Sequence, residues 1–237
     1  MKTVPYFAFL ISNLLLKKAD SIFVVANFLK EYYEKRNVRV IRTSENYGIE
    51  DDLFRGDIPP NTPKFNALFG ARLHPAKGIY DLVDIIKLVV DKKRDFTLGI
   101  MGDGVLYHKN KLIEKIKSNG LENNITLLGY KNGKERGDLY RNCGFFLFPS
   151  YAEGMTISVL EAFAANKLVI SYDLLEYRDA FKKYIQNGQL VLFPKGNFQK
   201  IANYIILGNY KRKKFHNNLT NFRWEKVFYR ELFVFLH

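Results

Sequence analysis

The sequence predicts an α/β fold, a parallel sheet flanked by helices, and three observations carry that prediction. From about residue 65 onward, apolar runs of strand length alternate with amphipathic segments of helix length, the pattern of a chain that returns through a helix after each strand. Just upstream, Arg55–Lys64 (RGDIPPNTPK) holds three of the seven prolines and shows no apolar periodicity, so it reads as a linker. The stretch Phe145–Ile170 (FFLFPSYAEGMTISVLEAFAANKLVI) contains one full unit of the alternation. It is a buried strand, a turn opened by Pro149, a helix of about ten residues and a second apolar strand.

Composition bounds what such a fold can do. At 237 residues, 47% of them hydrophobic, the chain has material for a sizeable core and is poor material for disorder. The single cysteine, Cys143, rules out an internal disulfide framework and points to a reducing, cytoplasmic compartment, with the thiol itself a small core residue. The histidines at 74, 108, 216 and 237 show no metal-ligand spacing, and no metal is assigned. A net charge of +13 favours an anionic partner such as a nucleotide, a phospholipid or a nucleic acid. The cations are spread through the chain, with one run at Lys211–Lys214 that reads as a solvated helix face or as a membrane contact. Nucleic acid ranks last, because no binding motif accompanies the charge.

The elements follow in order. The start, MKTVPYFAFLISNLLLKKADS, has the look of a signal peptide but lacks a small-x-small cleavage site, and Ser12, Asn13, Lys17 and Lys18 interrupt its apolar run. It reads as an amphipathic helix ending near Ala19, followed by a strand at Ser21–Ala26, a helix at Asn27–Arg36 and a strand at Val38–Ile41. Beyond the linker, strands are expected at Asn66–Phe69, Phe96–Met101, Ile125–Leu128, Phe145–Phe148, Leu168–Ser171 and Leu190–Phe193. Helices are expected at about 78–92, 105–119, 134–142, 156–166 and 197–207.

Two carboxylates mark the organising stretch, Glu153 in the loop and Glu161 inside the helix, with seven residues between them. Gly154 and Thr156 lie where the helix begins, and a helix N-terminus presents unpaired N–H groups and partial positive charge, which attract phosphate. Carboxylates repel phosphate, so the natural partners of the two acids are hydroxyl groups. A ligand carrying sugars on either side of a phosphate would use the whole arrangement. The plainer reading is a solvent-facing Glu153 and a Glu161 on a helix surface. Upstream, Gly102-Asp103-Gly104 between strand and helix permits a close backbone approach, although tight turns use the same residues.

The E-x7-E spacing inside PSYAEGMTISVLEAFA resembles the donor-binding signature of retaining GT-B glycosyltransferases of the group 1, family-4-like kind. Further residues carry the likeness: GARLHPAKG after the first strand of the series, the Gly102–Gly104 turn, Leu128-Gly129-Tyr130, Asn187-Gly188 before Leu190-Val191, and Phe222-Arg223-Trp224-Glu225. The segment KKADSIFVVANFLKEYYEKRNVRVIRTSENYGIEDDLF resembles the end of the family's N-terminal domain, with Ala26 at a serine position and Tyr47 inserted between Asn46 and Gly48.

The resemblance implies a Rossmann-like donor-binding domain over 59–237, closed by a terminal helix, and a truncated N-terminal αβ unit with linker over 1–58. It implies glycosyl transfer from a nucleotide-diphosphate sugar, with retention and without a metal; the nucleotide-sugar is a substrate, so no separate cofactor is expected. Arg72 and Lys77 would stabilise the leaving diphosphate, Glu153 the transferred sugar, and Glu161 the ribose hydroxyls. Gly70, Gly102, Gly104, Gly129 and Tyr130 would border the nucleotide. The segment Gly154, Met155 and Thr156, together with Leu160, would orient sugar and phosphate. Trp224 would be a structural anchor. Leu174 and Leu175 stand where the family has glycines, Asn166 and Leu168 where it has Gly and Pro, and Met155 where an aromatic often sits, which leaves the sugar open. The acceptor implied by the resemblance would be a glycan, a lipid or a protein, and the sequence does not say which. A non-catalytic donor-binding subunit, or a truncated remnant served by a separate acceptor-binding chain, remains the alternative. The apolar terminal run Trp224–Leu236 and the N-terminal helix would offer a docking face to a partner chain or a membrane surface.

Overall fold

The computed structural model describes residues 18, 22–24, 27–35, 37–38, 40–42, 48–49, 51–54, 63–153, 156–210, 215, 219, 222–223 and 225–229. In chain order the first elements are β1 (Ile22–Val24), α1 (Asn27–Glu34), β2 (Val40–Arg42) and a 3-10 turn at Asp51–Phe54. Then come β3 (Phe65–Gly70), a 3-10 turn at Pro75–Lys77, α2 (Ile79–Val90), β4 (Leu98–Met101), α3 (Leu106–Ser118), β5 (Ile125–Gly129) and α4 (Gly133–Arg141). The chain continues with β6 (Cys143–Phe148), α5 (Ile157–Ala164), β7 (Val169–Tyr172), α6 (Leu175–Ala180), α7 (Lys182–Gln186), β8 (Leu190–Phe193) and α8 (Phe198–Ile206). A further helical segment spans 225–229.

Strands β3 to β8 form one six-stranded sheet in the order β5-β4-β3-β6-β7-β8, and every neighbouring pair is parallel. All six C-terminal ends therefore lie along one rim. From β3 the chain winds outward through β4 and β5; β6 then starts again beside β3 and winds the other way through β7 and β8. The winding reverses between β3 and β6, and the C-terminal end of the sheet beside such a switch point is where sheets of this kind bind ligands. The two strands at this point are the centre of the core. Ala67, Leu68 and Phe69 of β3 and Phe145, Phe146 and Leu147 of β6 are fully buried, as strands covered on both faces require.

Five of the helices fall where the periodicity places them. α2 is buried along one face through Ile79, Leu82, Val83, Ile86 and Val89, and α8 packs against it through Ile201 and Ile205. Strand β4 begins at Leu98, two residues later than expected, because Thr97 turns aside to Asn66: its N–H donates to Asn66 Oδ1 at 2.8 Å. Cys143 is the first residue of β6 and is buried, as expected of it. Asn166 takes a left-handed φ of 56°, a conformation asparagine tolerates where a glycine would be usual.

Helices α6 and α7 are additions to the helices expected from the sequence. Tyr177, Phe181 and Tyr184 recur at helical spacing and bury themselves against Phe163 of α5, whose ring centroid lies 3.9 Å from that of Tyr184 and 5.4 Å from that of Phe181. The helices are too short for a sustained pattern, so this aromatic packing, and not local propensity, holds them.

β1 and β2 form a separate two-stranded parallel sheet. The residues just before the proline-rich segment join the main core: Ile49 and Leu53 are buried in the same apolar cluster as the central strands. The Ile49 N–H donates to the Phe222 carbonyl at 2.6 Å, and Ile49 bridges Arg223 in parallel fashion. The expected N-terminal helix, the 58/59 boundary, Trp224 and most of the terminal apolar run lie outside the described residues.

Candidate functional site

The loops leaving β3 and β6 are built to touch. Gly78 closes the first loop with φ 72°, and a Cβ there would stand 1.9 Å from the Pro149 carbonyl oxygen, so only glycine permits the approach. The Tyr151 N–H donates to the Ala76 carbonyl at 2.9 Å. The phenol of Tyr151 donates to Asp81 at 2.6 Å, and Tyr172 donates to the same carboxylate oxygen. Burial first, and the Asp81 carboxylate second, push the Tyr151 phenol up to about 12 and the Tyr172 phenol further still. These contacts tie the loop bearing Glu153 to the loop and helix bearing Lys77. The result is an ion pair: Lys77 Nζ lies 2.6 Å from Glu153 Oε1, which also accepts from the Ser150 hydroxyl at 2.5 Å.

A cleft of about 330 Å³ is lined by residues from separate stretches of chain. Gly70 ends β3, and Ala71 and Arg72 follow it; Met101, Gly102 and Asp103 end and follow β4; Tyr130 and Lys131 follow β5; and Arg136, Tyr140, Ser158 and Glu161 come from α4 and α5. Gly102 holds φ 137°, and a Cβ there would sit 1.8 Å from the Ala71 carbonyl oxygen, so the two loops lie backbone against backbone. Its N–H donates to the Gly129 carbonyl at 2.8 Å, bringing the end of β5 into the same rim.

Glu161 is the buried acid of this cleft. Only 4% of its side chain is exposed, in the middle of a helix whose neighbours Leu160, Ala162 and Phe163 are core residues. Arg136 answers it with a guanidinium nitrogen 3.1 Å from Oε1. Tyr140, one turn along α4 from Arg136, has its hydroxyl 3.3 Å from the Ser158 carbonyl and beside Glu161. Burial first, and the Glu161 carboxylate second, hold that phenol well above its ordinary range. Asp103 is kept below the usual carboxylate range by the Gly104 N–H and by Lys109.

Among the residues expected at a site, Gly70, Arg72, Gly102, Tyr130 and Glu161 gather at the cleft. Lys77 and Glu153 meet each other beside it. Gly104 stands against Leu73, where a Cβ would lie 2.4 Å from the Leu73 carbonyl oxygen, and Gly129 is open with φ 70°. The Leu160 side chain faces the core, and Thr156 is buried with its hydroxyl 3.0 Å from that of Tyr177. Gly154 and Met155 lie outside the described residues. Arg136, Tyr140, Met101, Asp103, Lys131 and Ser158 line the cleft without having been singled out. Arg136 and Tyr140 share a helix face by their spacing of four, but a basic and an aromatic residue at that interval are common on any helix.

Large apolar side chains are exposed in the segments that follow the strand ends: Val105, Leu106 and Tyr107 after β4, Tyr130 after β5 and Leu175 after β7. Among the described residues, no group of three or more His, Cys, Asp or Glu side chains gathers as a metal would need. No helix among them is long and apolar enough to cross a membrane.

Comparison with known proteins agrees with this geometry. Residues 50–221, well over half the chain, match the family profile described as glycosyl transferases group 1. An uncharacterized glycosyltransferase of Methanocaldococcus jannaschii is 40% identical over 172 residues, covering 61% of this chain and 41% of that protein. The crystal structure of TarM superposes with a TM-score of 0.70 at 21% identity, covering 97% of this chain and 45% of that one. The pneumococcal O-GlcNAc transferase GtfA, in complex with UDP and GlcNAc, superposes with a TM-score of 0.68 at 19% identity, covering 96% of this chain and 44% of that one. The chain thus spans about two-fifths of the length of these relatives. The parallel sheet flanked by helices is the fold shared with those structures, and this chain belongs to the glycosyl transferases group 1 family.

Proposed function

We propose that this chain binds a nucleoside-diphosphate sugar and serves its transfer to an acceptor hydroxyl, with retention and without a metal ion. The observation that carries the reading is the convergence, on one cleft, of Arg72, Gly70, the Gly102 backbone approach, Tyr130 and the buried Glu161. Arg72 and Lys77 take the diphosphate, Glu161 the ribose hydroxyls and Glu153 the transferred sugar. In the transfer, the bond from the anomeric carbon to the diphosphate oxygen breaks and its electron pair stays with the diphosphate. The acceptor oxygen bonds to that carbon, and its proton ends on the departing phosphate. Charge grows on the diphosphate as the bond breaks, so cations already placed there favour the transition state.

UDP, which is present in the GtfA complex, is the natural first probe. Calorimetry on the chain should show UDP binding at least about tenfold more tightly than uridine, because a charge-assisted contact is worth roughly 1.5–3 kcal/mol. Equal affinity for the two would overturn the reading.

A second reading, a donor-binding subunit working with a separate acceptor-binding chain, draws on the exposed apolar side chains after the strand ends. Val105, Leu106, Tyr107, Tyr130 and Leu175 offer apolar area that a partner would cover. It predicts donor binding without turnover by the isolated chain, and turnover on a small soluble acceptor by the monomer would exclude it. A peripheral position at a membrane, aided by the basic charge, belongs to the same proposal.

A further inference from the structure

We infer that Arg136 is a positioning residue for Glu161, holding the acid ionised and oriented so that it accepts the ribose hydroxyls of the donor. The inference rests on the proposed reading of the cleft and goes beyond it, because Arg136 belongs to a different helix and to none of the motifs of the donor signature.

The argument begins with burial. Glu161 sits on α5 among core residues with 4% of its side chain exposed, so its charge has lost nearly all of its water. An ionised carboxylate in such a place stays ionised only if a cation or several donors replace that water. Arg136 supplies the cation at 3.1 Å, from a side chain that is itself 22% exposed and lines the same cleft. Tyr140 brings its hydroxyl to the same acid from one turn along α4. A guanidinium is planar and keeps its charge at every relevant pH, so it fixes the direction of a carboxylate as well as its ionisation. A carboxylate has about four acceptor positions, so contacts to Arg136 and Tyr140 are compatible with a bound hydroxyl.

The position of the pair also matters. α4 leads into β6 and α5 follows it, so Arg136 and Glu161 come from the helices before and after that strand, meet at 3.1 Å and both line the cleft. The acid that would read the ribose is thus oriented by a residue 25 positions upstream of it.

A purely structural ion pair and a positioning residue make different predictions. Loss of a structural pair lowers affinity for every nucleotide alike. Loss of a positioning residue removes the advantage conferred by the ribose hydroxyls and little else. The test compares UDP with 2′,3′-dideoxy-UDP, which lacks those hydroxyls, by calorimetry on the full chain. The unaltered chain should prefer UDP by about tenfold or more, the scale set by losing a good hydrogen-bonded contact. Arg136→Met should reduce that preference to about threefold or less, and Arg136→Lys, which keeps the charge, should retain most of it. Glu161→Gln should collapse the preference by itself, and adding Arg136→Met to it should change the preference no further, the mark of residues acting through one another.

A preference unchanged in Arg136→Met overturns the inference. If circular dichroism shows that this variant does not fold, Arg136→Gln decides in its place, and an unchanged preference there overturns the inference equally. An unaltered chain that prefers UDP to uridine but not UDP to its dideoxy form leaves the diphosphate reading standing and refutes both the ribose assignment and the role of Arg136. An unaltered chain that binds no nucleoside diphosphate, neither UDP nor GDP nor ADP, refutes the proposed function itself.

Discussion

Lys77 Nζ and Glu153 Oε1 are in contact at 2.6 Å, although the two residues lie 76 positions apart in the chain. Glu153 has only 5% of its side chain exposed, whereas Lys77 keeps 27%, so the pair is half buried and the acid is the more dependent partner. The contact exists because Gly78 lets the first loop meet Pro149 and because Tyr151 bridges to Ala76 and Asp81.

Removing one partner should cost more than removing both. Lys77→Met strands a nearly buried carboxylate and should lower stability by about 1–3 kcal/mol, less than for a fully buried pair because the lysine is partly solvated. Adding Glu153→Gln should recover much of that loss. Urea denaturation of the two single variants and the double variant measures the coupling, and strictly additive losses would show that the contact is energetically idle.

The two cations should differ in their hold on a diphosphate. Arg72 is exposed at the cleft, whereas Lys77 is already matched by Glu153. Arg72→Ala should therefore weaken UDP binding by about tenfold or more, and Lys77→Met by less. Uridine binding should be unchanged in both. A larger loss for Lys77→Met would place the phosphates nearer the lysine.

The two acids should separate in the same way. Glu161→Ala should lower affinity for UDP and for a UDP-sugar alike. Glu153→Ala should spare UDP and harm only the sugar-bearing ligand. Calorimetry with both ligands checks this, and the reverse pattern would exchange their roles.

Gly78→Ala should destabilise the protein by about 2–4 kcal/mol, since the new methyl meets a backbone carbonyl at 1.9 Å in a left-handed conformation. Gly129→Ala, with a similar φ of 70° but no atom within 4 Å of the added Cβ, should cost only about 1–2 kcal/mol. Thermal unfolding of the pair separates steric clash from backbone strain, and equal losses would contradict it.

Cys143 should be inert while the protein is folded. The thiol is buried, and that burial pushes it up to about 12 from its ordinary 9.0. A thiol reagent at pH 8 should label the chain only in denaturant. The sign for stability follows: between pH 9 and 12 the folded thiol keeps a proton that the unfolded thiol releases, so stability falls as pH rises through that window. Cys143→Ala should show a shallower alkaline loss, by up to about 1.4 kcal/mol per pH unit. Rapid labelling of the native chain would show the strand end to be open.

The sequence by itself determined the sheet and most of its order of elements. Period and length separate strand from helix, and runs such as FFLF at 145–148 and NALF at 66–69 can only be central in a sheet covered on both faces. Arg72, Gly102 and Glu161 were legible because each stands at a fixed offset from a strand end, and in a parallel sheet every strand end reaches the same rim. Helices α6 and α7 were not, because they are held by Phe163, a contact between segments that no local window contains.

Tertiary structure alone decided which charges meet. Glu153 and Glu161 look alike in sequence, two glutamates in one stretch, but the fold gives the first to Lys77 and the second to Arg136. Neither partner can be read from spacing, because the lysine arrives from the loop after β3 and the arginine from a helix before β6. Strand order brings them there: with β3 and β6 side by side at the switch point, residues far apart in the chain meet, and the burial of each carboxylate makes it require its cation.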